Sequence, residues 1–321
     1  MIALGEPERG YLPFENPHAP VVWTIVWGGT ASGGSHVSSS TIVVGIDGSE
    51  ASDLAVVWAA QTASNRDCTL RIVAAVDLPS YLPEDNDVRA VFGSRLVAAE
   101  TLARESIEGS ALSVVTEARD GTVVDVLLSE SENSALVVLG ARGLGESDSG
   151  LLGSAAIALT AHASSPVVVV RGRSIDGRPP TTGPVVVGVD GSAVGQAAVA
   201  AAFDEASHRG APLVAVHVWA DVALAPMSAV PLQWDDIASS EEAVLAESLA
   251  GWQEKYPDVE VRRVVAQDRP VRVLAQLSEQ ASLIVVGNRG RGGFRGMLLG
   301  STSYALIHTA DCPVLVARGE S

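Results

Sequence analysis

The sequence predicts an α/β protein made of two tandem, doubly wound, five-stranded parallel-sheet domains. Its 321 residues suit two domains of ordinary size with about forty residues left over. The chain also repeats itself. TIVVGIDGS at 41–49 returns as PVVVGVDGS at 184–192, and LVVLGARG at 136–143 as LIVVGNRG at 283–290. LLGSAAIAL at 151–159 returns as LLGSTSYAL at 298–306, and PVVVVR at 166–171 as PVLVAR at 313–318. The later pairs are offset by 147 residues and the first by 143, so one module occurs twice, with a few residues inserted in the middle of the second. Finally, short Val/Ile-rich runs alternate with longer Ala-rich segments of helical period, the pattern of a parallel sheet covered by helices on both faces.

In order, the first copy gives strands near 41–47, 69–76, 112–118, 135–140 and 166–171, each a short run rich in Val, Ile or Leu. Between them helical periodicity places helices near 51–64, 86–108, 122–132 and 154–163. The second copy gives strands near 184–190, 212–218, 259–265, 282–287 and 313–318. The domains are therefore expected at 41–171 and 184–319, joined by the linker GRSIDGRPPTTG at 172–183. Residues 1–40 have no counterpart in the other copy and read as a flexible leader. Within it Val21–Trp27 could pack as an extra edge strand, or translation could begin near Val37 and the preceding segment not be native. The closing strands are almost entirely apolar and need covering, which the two copies can give each other about a pseudo-two-fold axis.

Composition excludes several classes. The chain is 47% hydrophobic and 18% charged, so each half can bury a core. Lys plus Arg is 21 against 38 Asp plus Glu, a net charge of -17, which argues against nucleic acid or an anionic membrane as partner. Only Cys68 and Cys312 are present, too few for a disulfide framework or a Cys-based metal site, and both are expected as buried thiols. The longest apolar runs are strand-sized, far short of the ~20 residues of a membrane span. The first residues show no basic n-region and no long h-region, so the expected location is the cytoplasm.

The chemistry is expected in the loop after the fourth strand of each copy. It runs Gly140, two residues, Gly143, nine residues, Gly153, Ser154, and again Gly287, two, Gly290, nine, Gly300, Ser301. A buried strand that stops at a glycine and resumes as a helix after Gly-Ser presents free backbone N–H groups to a phosphate, with a favourable helix dipole and no side chain in the way. Ser154 and Ser301 are expected to cap their helices or to donate a hydroxyl to phosphate.

With these glycine patterns, the Asp-Gly-Ser strand ends, and segments such as AFDEASHRGAPLVAVHVWAD at 202–221 and GWQEKYPDV at 251–259, the chain resembles the tandem-domain universal stress proteins of actinobacteria. The resemblance covers about residues 40–319. It implies the strand order 3-2-1-4-5 of the universal stress protein and adenine nucleotide alpha hydrolase-like fold, and an ATP site in each copy, with Mg2+ as a possible companion. The adenine would lie by Gly45, Asp47 and Val76 in the first copy and by Gly188, Asp190 and Val218 in the second. Ribose and phosphates would follow Gly140, Arg142, Gly143, Leu144, Gly145, Gly153, Ser154 and Ala155, and then Gly287, Arg289, Gly290, Arg291, Gly292, Gly293, Gly300, Ser301 and Thr302. Asp47 and Asp190 read either as partners of a nucleotide hydroxyl or of Mg2+ through water, or as turn formers ahead of Gly-Ser.

The two loops differ in charge. The first has Arg142 with Glu146 and Asp148; the second has Arg289, Arg291 and Arg295 with no acid between Gly287 and Gly300. Attraction for a triphosphate should be stronger in the second copy. The only lysine, Lys255, lies far from either loop, so Walker-type phosphoryl transfer is excluded. No Gly-x-Ser-x-Gly or His-Glu-x-x-His occurs, and SGGSH at 32–36 precedes the first strand, which disfavours an adenylating enzyme. Of the histidines, His18 and His36 fall in the leader and His162, His208 and His308 on or beside helices, while His217 ends the second strand of copy two beside the proposed adenine edge. The leading expectation is an ATP-dependent regulator of stress response or growth with little turnover, acting on an unidentified protein partner through 78–87 and 221–239. A slow Mg-dependent ATPase or phosphotransferase and a dimerisation module without nucleotide are the alternatives; further homodimerisation is open.

Overall fold

The computed structural model describes residues 41–77, 86–107, 111–143, 152–172, 178–219, 234–291 and 298–319. The leader with its proposed Val21–Trp27 strand, residues 173–177 of the linker, and the segments 78–85 and 220–233 after the second strands lie outside them. The first repeat runs β1 (Thr41–Ile46), α1 (Glu50–Asn65), β2 (Thr69–Val76), α2 (Asn86–Glu105), β3 (Val114–Asp120), α3 (Val123–Ser131), β4 (Leu136–Gly140), α4 (Ser154–His162) and β5 (Val167–Val170). The second runs β6 (Val185–Val189), α5 (Gln196–Arg209), β7 (Leu213–Trp219), α6 (Trp234–Ser248), α7 (Trp252–Lys255), β8 (Val261–Gln267), α8 (Pro270–Ser278), β9 (Leu283–Gly287), α9 (Ser301–Thr309) and β10 (Val314–Ala317).

All ten strands form one sheet in the order β3-β2-β1-β4-β5-β10-β9-β6-β7-β8. Each repeat therefore has the order 3-2-1-4-5, with parallel neighbours throughout. At the seam β5 and β10 pair antiparallel, Val169 with Val314, Val168 with Leu315 and Val167 with Val316. At the 147-residue offset Val168 and Leu315 are equivalent positions, so the pairing is symmetric about them. That is the pseudo-two-fold cover expected for two apolar closing strands, and VVVV and VLVA are buried at every position.

Alternation along the strands sorts the core into two layers. Ile42, Val44 and Ile46 belong to the layer that also holds residues of α1, α2, α5 and α6, where Trp58 and Phe203 are fully buried. Val43 and its counterpart Val186 face the opposite way, toward Leu127 of α3, Leu159 of α4, Leu274 of α8 and Leu306 of α9. Cys68 and Cys312 are buried thiols. Among the described residues no helix is long and apolar enough to cross a membrane.

Charge bridges the two repeats where α1 meets α5. Glu205 of α5, 1% exposed, accepts from Nη2 of Arg66, the C-cap of α1, at 2.7 Å and from Arg209 Nε at 2.8 Å. Arg66 also reaches Asp204, and Arg209 donates to Thr62 Oγ1 at 3.1 Å with its guanidinium 4.8 Å over the Trp58 ring. Beyond the seam, Arg318 Nη2 donates to the last-turn carbonyls of Leu159 and Thr160 in α4 at 3.2 and 3.0 Å, where a cation suits the helix dipole.

Two expectations shift. The third strands run 114–120 and 261–267 rather than 112–118 and 259–265, because pairing with the preceding strand carries them on to Asp120 and Gln267 although the side chains turn polar. The GWQEKYPDV segment also folds as a short helix, α7, whose Trp252 and following Tyr256 stack on Phe203 at 5.7 and 5.8 Å.

Candidate functional site

The site grows from the turn after the first strand of each repeat. In the second, Asp190 Oδ1 accepts from Ser192 N at 2.9 Å and from Ser192 Oγ at 2.7 Å, while Asp190 Oδ2 accepts from Arg291 N at 2.8 Å. The aspartate thus forms the turn, as one of its two sequence readings held, and ties that turn to the glycine loop after β9. Gly191 between them needs its positive φ of +72°. In the first repeat Asp47 Oδ1 accepts from Ser49 N at 2.9 Å, and Ser49 Oγ donates to Arg142 O at 3.5 Å; Gly48 takes φ +84°.

These aspartates explain the second glycine of each loop. A β-carbon on Gly290 would stand 2.7 Å from Asp190 Oδ2, and one on Gly143 2.8 Å from Asp47 Oδ2. The first glycines are equally confined: at Gly140 a β-carbon would meet Ala51 O at 2.5 Å, and at Gly287 Arg289 O at 2.9 Å. Gly45 and Gly188 leave room for Leu127 and Leu274 of the helices below, whose Cδ1 atoms would stand 2.7 and 3.0 Å from an added β-carbon.

The caps differ from the expectation. Ser154 and Ser301 are the first helical residues of α4 and α9, and the cap positions are Gly153 (φ -63°, ψ 145°) and Gly300 (φ -68°, ψ 147°), with no side-chain cap bond. A glycine in extended conformation has no oxygen to fold over the first turn, so that turn has no side-chain cap over its amides. Backbone bonds fix the approach: Gly153 N donates to Ala141 O at 2.9 Å and Gly300 N to Asn288 O at 2.7 Å, and Ser303 Oγ donates to Gly287 O at 2.6 Å.

In the second repeat these parts surround a cleft of 510 Å3, into which Gly188, Asp190, Val218, Gly287, Arg289, Gly290, Arg291, Gly300, Ser301 and Thr302 all face. Glycines, two arginines and a helix N-terminus make one part of its lining, and Val216, Val218, Trp219, Pro270, Leu274 and Leu299 an apolar part. His217 also lines it, 3% exposed. Its Nδ1 lies 2.7 Å from Val189 O and its Nε2 2.7 Å from Glu241 Oε2 of α6, and Glu241 too faces the cleft. A cleft of this size, with an apolar lining and a few convergent polar groups, is the usual form of a small-molecule site. Among the described residues no three His, Cys, Asp or Glu side chains are grouped to hold a metal ion.

In the first repeat Gly45, Asp47, Val76, Gly140, Arg142, Gly143, Gly153, Ser154 and Ala155 occupy the carboxyl edge of β1, β2 and β4 and the start of α4. The register corrects one equivalence: Gly45 pairs with Val73 and Gly188 with Val216, so Val76 is the counterpart of Trp219, and Ala75 that of Val218. Leu144, Gly145, Gly292 and Gly293, with Glu146, Asp148 and Arg295, lie outside the described residues.

Cations crowd beside both loops. Burial lowers the pKa of Arg318, as does the neighbouring Arg289. In the first repeat burial lowers that of Arg171, opposed by Asp311 and joined by Arg142. Glu241, Trp219, Pro270 and Leu299 were not singled out by sequence reasoning. A strict 143-residue offset from Val76 points to Trp219; for Glu241 no spacing signal exists, because it comes from the helix that differs most between the copies.

The sequence pattern of the universal stress protein family matches residues 39–171 and 181–318. Universal stress protein Rv2005c of Mycobacterium tuberculosis is 44% identical over 286 residues, covering 86% of this chain and 96% of the relative. Universal stress protein Rv2623 of the same organism is 40% identical over 294 residues, covering 88% and 97%. Among solved structures, a universal stress protein from Archaeoglobus fulgidus superposes with a TM-score of 0.60 at 20% identity, covering 88% of this chain and 97% of that one.

Proposed function

Since this chain belongs to the universal stress protein family, we propose that it is a nucleotide-binding regulator whose ligand is ATP. The observation that carries this reading is the second cleft, where a cradle of backbone amides and two arginines faces an apolar recess. Phosphates would lie along Gly287, Gly290 and the uncapped start of α9 at Gly300, Ser301 and Thr302, with Arg289 and Arg291 as counter-charges. The purine would occupy the recess between Val216, Val218 and Leu274. Both Asp190 oxygens already accept from the chain, so the Mg2+ that accompanies ATP is assigned to the phosphates and water, not to this carboxylate.

Little turnover is expected, since the groups set along the glycine loop among the described residues, backbone amides with Arg289 and Arg291, bind and neutralise phosphate. ATP binding would then act by shifting a conformational equilibrium, ordering the glycine loops and the segments after β2 and β7 that a protein partner would read. The test is the nucleotide content of the purified protein, identified and counted per chain, followed over hours with Mg2+. ATP retained without appearance of ADP is expected; steady ADP formation lost in Asp190→Ala would make the protein an ATPase, and no nucleotide at any concentration would leave a dimerisation module.

The second cleft is further expected to bind ATP more tightly than its counterpart, because its loop carries Arg289 and Arg291 where the first has Arg142 followed by Glu146 and Asp148. Titrating chains in which one loop is disabled at a time checks this, and equal or reversed affinities would refute it.

A further inference from the structure

The second cleft carries a pair of side chains that the first repeat lacks. His217 stands where the register of β2 and β7 puts Ala74 in the first copy, and Glu241 reaches it from α6. The carbonyl of Val189 can only accept, so His217 Nδ1–H is the donor in their 2.7 Å contact, and the 2.7 Å contact of Nε2 with Glu241 Oε2 is a hydrogen bond through a second ring proton, the imidazolium donating to the carboxylate. The ring, 3% exposed, thereby fixes the carboxylate at the cleft wall by one oxygen. Glu241 is 24% exposed in its side chain and lines the cleft, and its Oε1 has no bond to the chain among the described residues. Asp190, the carboxylate that the family resemblance places on a nucleotide hydroxyl, is by contrast engaged at both oxygens.

We propose that Glu241, positioned by His217, is a specificity-determining residue of the second cleft, accepting a hydrogen bond from a donor group on the ligand. The inference rests on the nucleotide reading of that cleft. An ionised carboxylate accepts and cannot donate, and it repels phosphate. The ligand must therefore turn its anionic end toward Arg289, Arg291 and α9, and present N–H or O–H groups to Glu241. A nucleotide offers two such donors, the ribose hydroxyls and the exocyclic amine of adenine. The first repeat, with alanine in place of His217, would lack this selection.

The experiment compares ATP, 2′-deoxy-ATP and inosine triphosphate by calorimetric titration of the full chain carrying Gly143→Ala, so that only the second cleft is read. Wild-type Glu241 should favour ATP by about tenfold over whichever analogue lacks the donor it engages, the scale of one hydrogen bond to a charged group. Loss against 2′-deoxy-ATP identifies the ribose, and loss against inosine triphosphate the amine. Glu241→Gln should bring that ratio toward one, with thermal unfolding unchanged. His217→Ala, which installs the residue of the first repeat, should lower the ratio without removing binding. ATP bound with both ratios unchanged in Glu241→Gln and His217→Ala overturns this proposal alone. No binding of any of the three nucleotides by the Gly143→Ala chain, with the second loop intact, overturns the nucleotide reading as well.

Discussion

Gly290→Ala is expected to empty the second cleft while leaving the first occupied, so that bound nucleotide falls from two to one per chain. The new β-carbon would stand 2.7 Å from Asp190 Oδ2, and that carboxylate cannot swing aside cheaply, because three bonds from Ser192 N, Ser192 Oγ and Arg291 N hold it. Either the turn after β6 or the glycine loop must move, and each carries the amides that would surround phosphate. Losing two amide contacts to a charged group weakens binding about a hundredfold. Gly143→Ala should do the same to the first site through Asp47, at 2.8 Å. Gly300→Ala is the informative control: the atom nearest its β-carbon is Asn288 O at 3.5 Å, followed by Arg289 Cα at 3.6 Å and Ser303 Oγ at 3.8 Å, all ordinary contacts. That variant should fold like the parent, and a loss of affinity in it would come from obstruction of the ligand itself. Equilibrium binding and counting of bound nucleotide read all three; unaltered stoichiometry in Gly290→Ala would remove the cradle from the mechanism.

Glu205→Ala is expected to destabilise the chain by about 3–5 kcal/mol, the range for stripping one partner from a buried ion pair. Glu205 is 1% exposed and serves both Arg66 and Arg209; without it Arg209, 10% exposed, keeps only Thr62 and the Trp58 ring. Burial alone would raise the Glu205 pKa, but attraction and hydrogen bonds from Arg209 and Arg66 outweigh it and hold the group below the ordinary 4.5. A carboxyl whose folded value is depressed adds stability in full above the unfolded value and loses it as pH falls through the folded one. The stability gap between parent and variant, measured by denaturant titration, should therefore be constant above the ordinary carboxylate range and narrow below it. A gap that widened on acidification would contradict this account. At the 143-residue offset the counterpart of Glu205 is Thr62, so two first repeats pressed together would set arginine against threonine with no acid between them. The single carboxylate favours pairing of first repeat with second.

Much of this was legible because it lives in short local patterns. The two glycine loops and the Asp-Gly-Ser turns follow from residue types at fixed spacing, the strand order came with the family resemblance those patterns carry, and steric contacts at Gly140, Gly143, Gly287 and Gly290 show why the spacings matter. What was not legible depends on pairing across the sheet. The ends of β3 and β8 are set by hydrogen bonds to β2 and β7, so polar residues such as Arg119 and Asp120 still extend a strand that hydropathy stops early. The same register moves the counterpart of Val76 from Val218 to Trp219, which alternation places on the other face. Ser154 and Ser301 were read as caps because serine usually caps, yet the backbone turns one residue sooner, at glycine. Glu241 escaped notice because its role is conferred by His217, 24 residues earlier, and by the packing of α6 on β7.

The antiparallel seam between β5 and β10 points the carboxyl ends of the two half-sheets to opposite rims of a single slab. The mouth beside β6 and β9 therefore opens on one rim, and the loop after β4 on the other. A reporter protein that grips one rim meets one mouth; reading both requires an elongated clasp or two separate readers. The occupancy of one rim can be felt at the other through the Val-rich middle of the slab, through the Glu205 bridge between α1 and α5, or through Arg318, which stands beside Arg289 and holds the tail of the helix whose head borders the opposite loop.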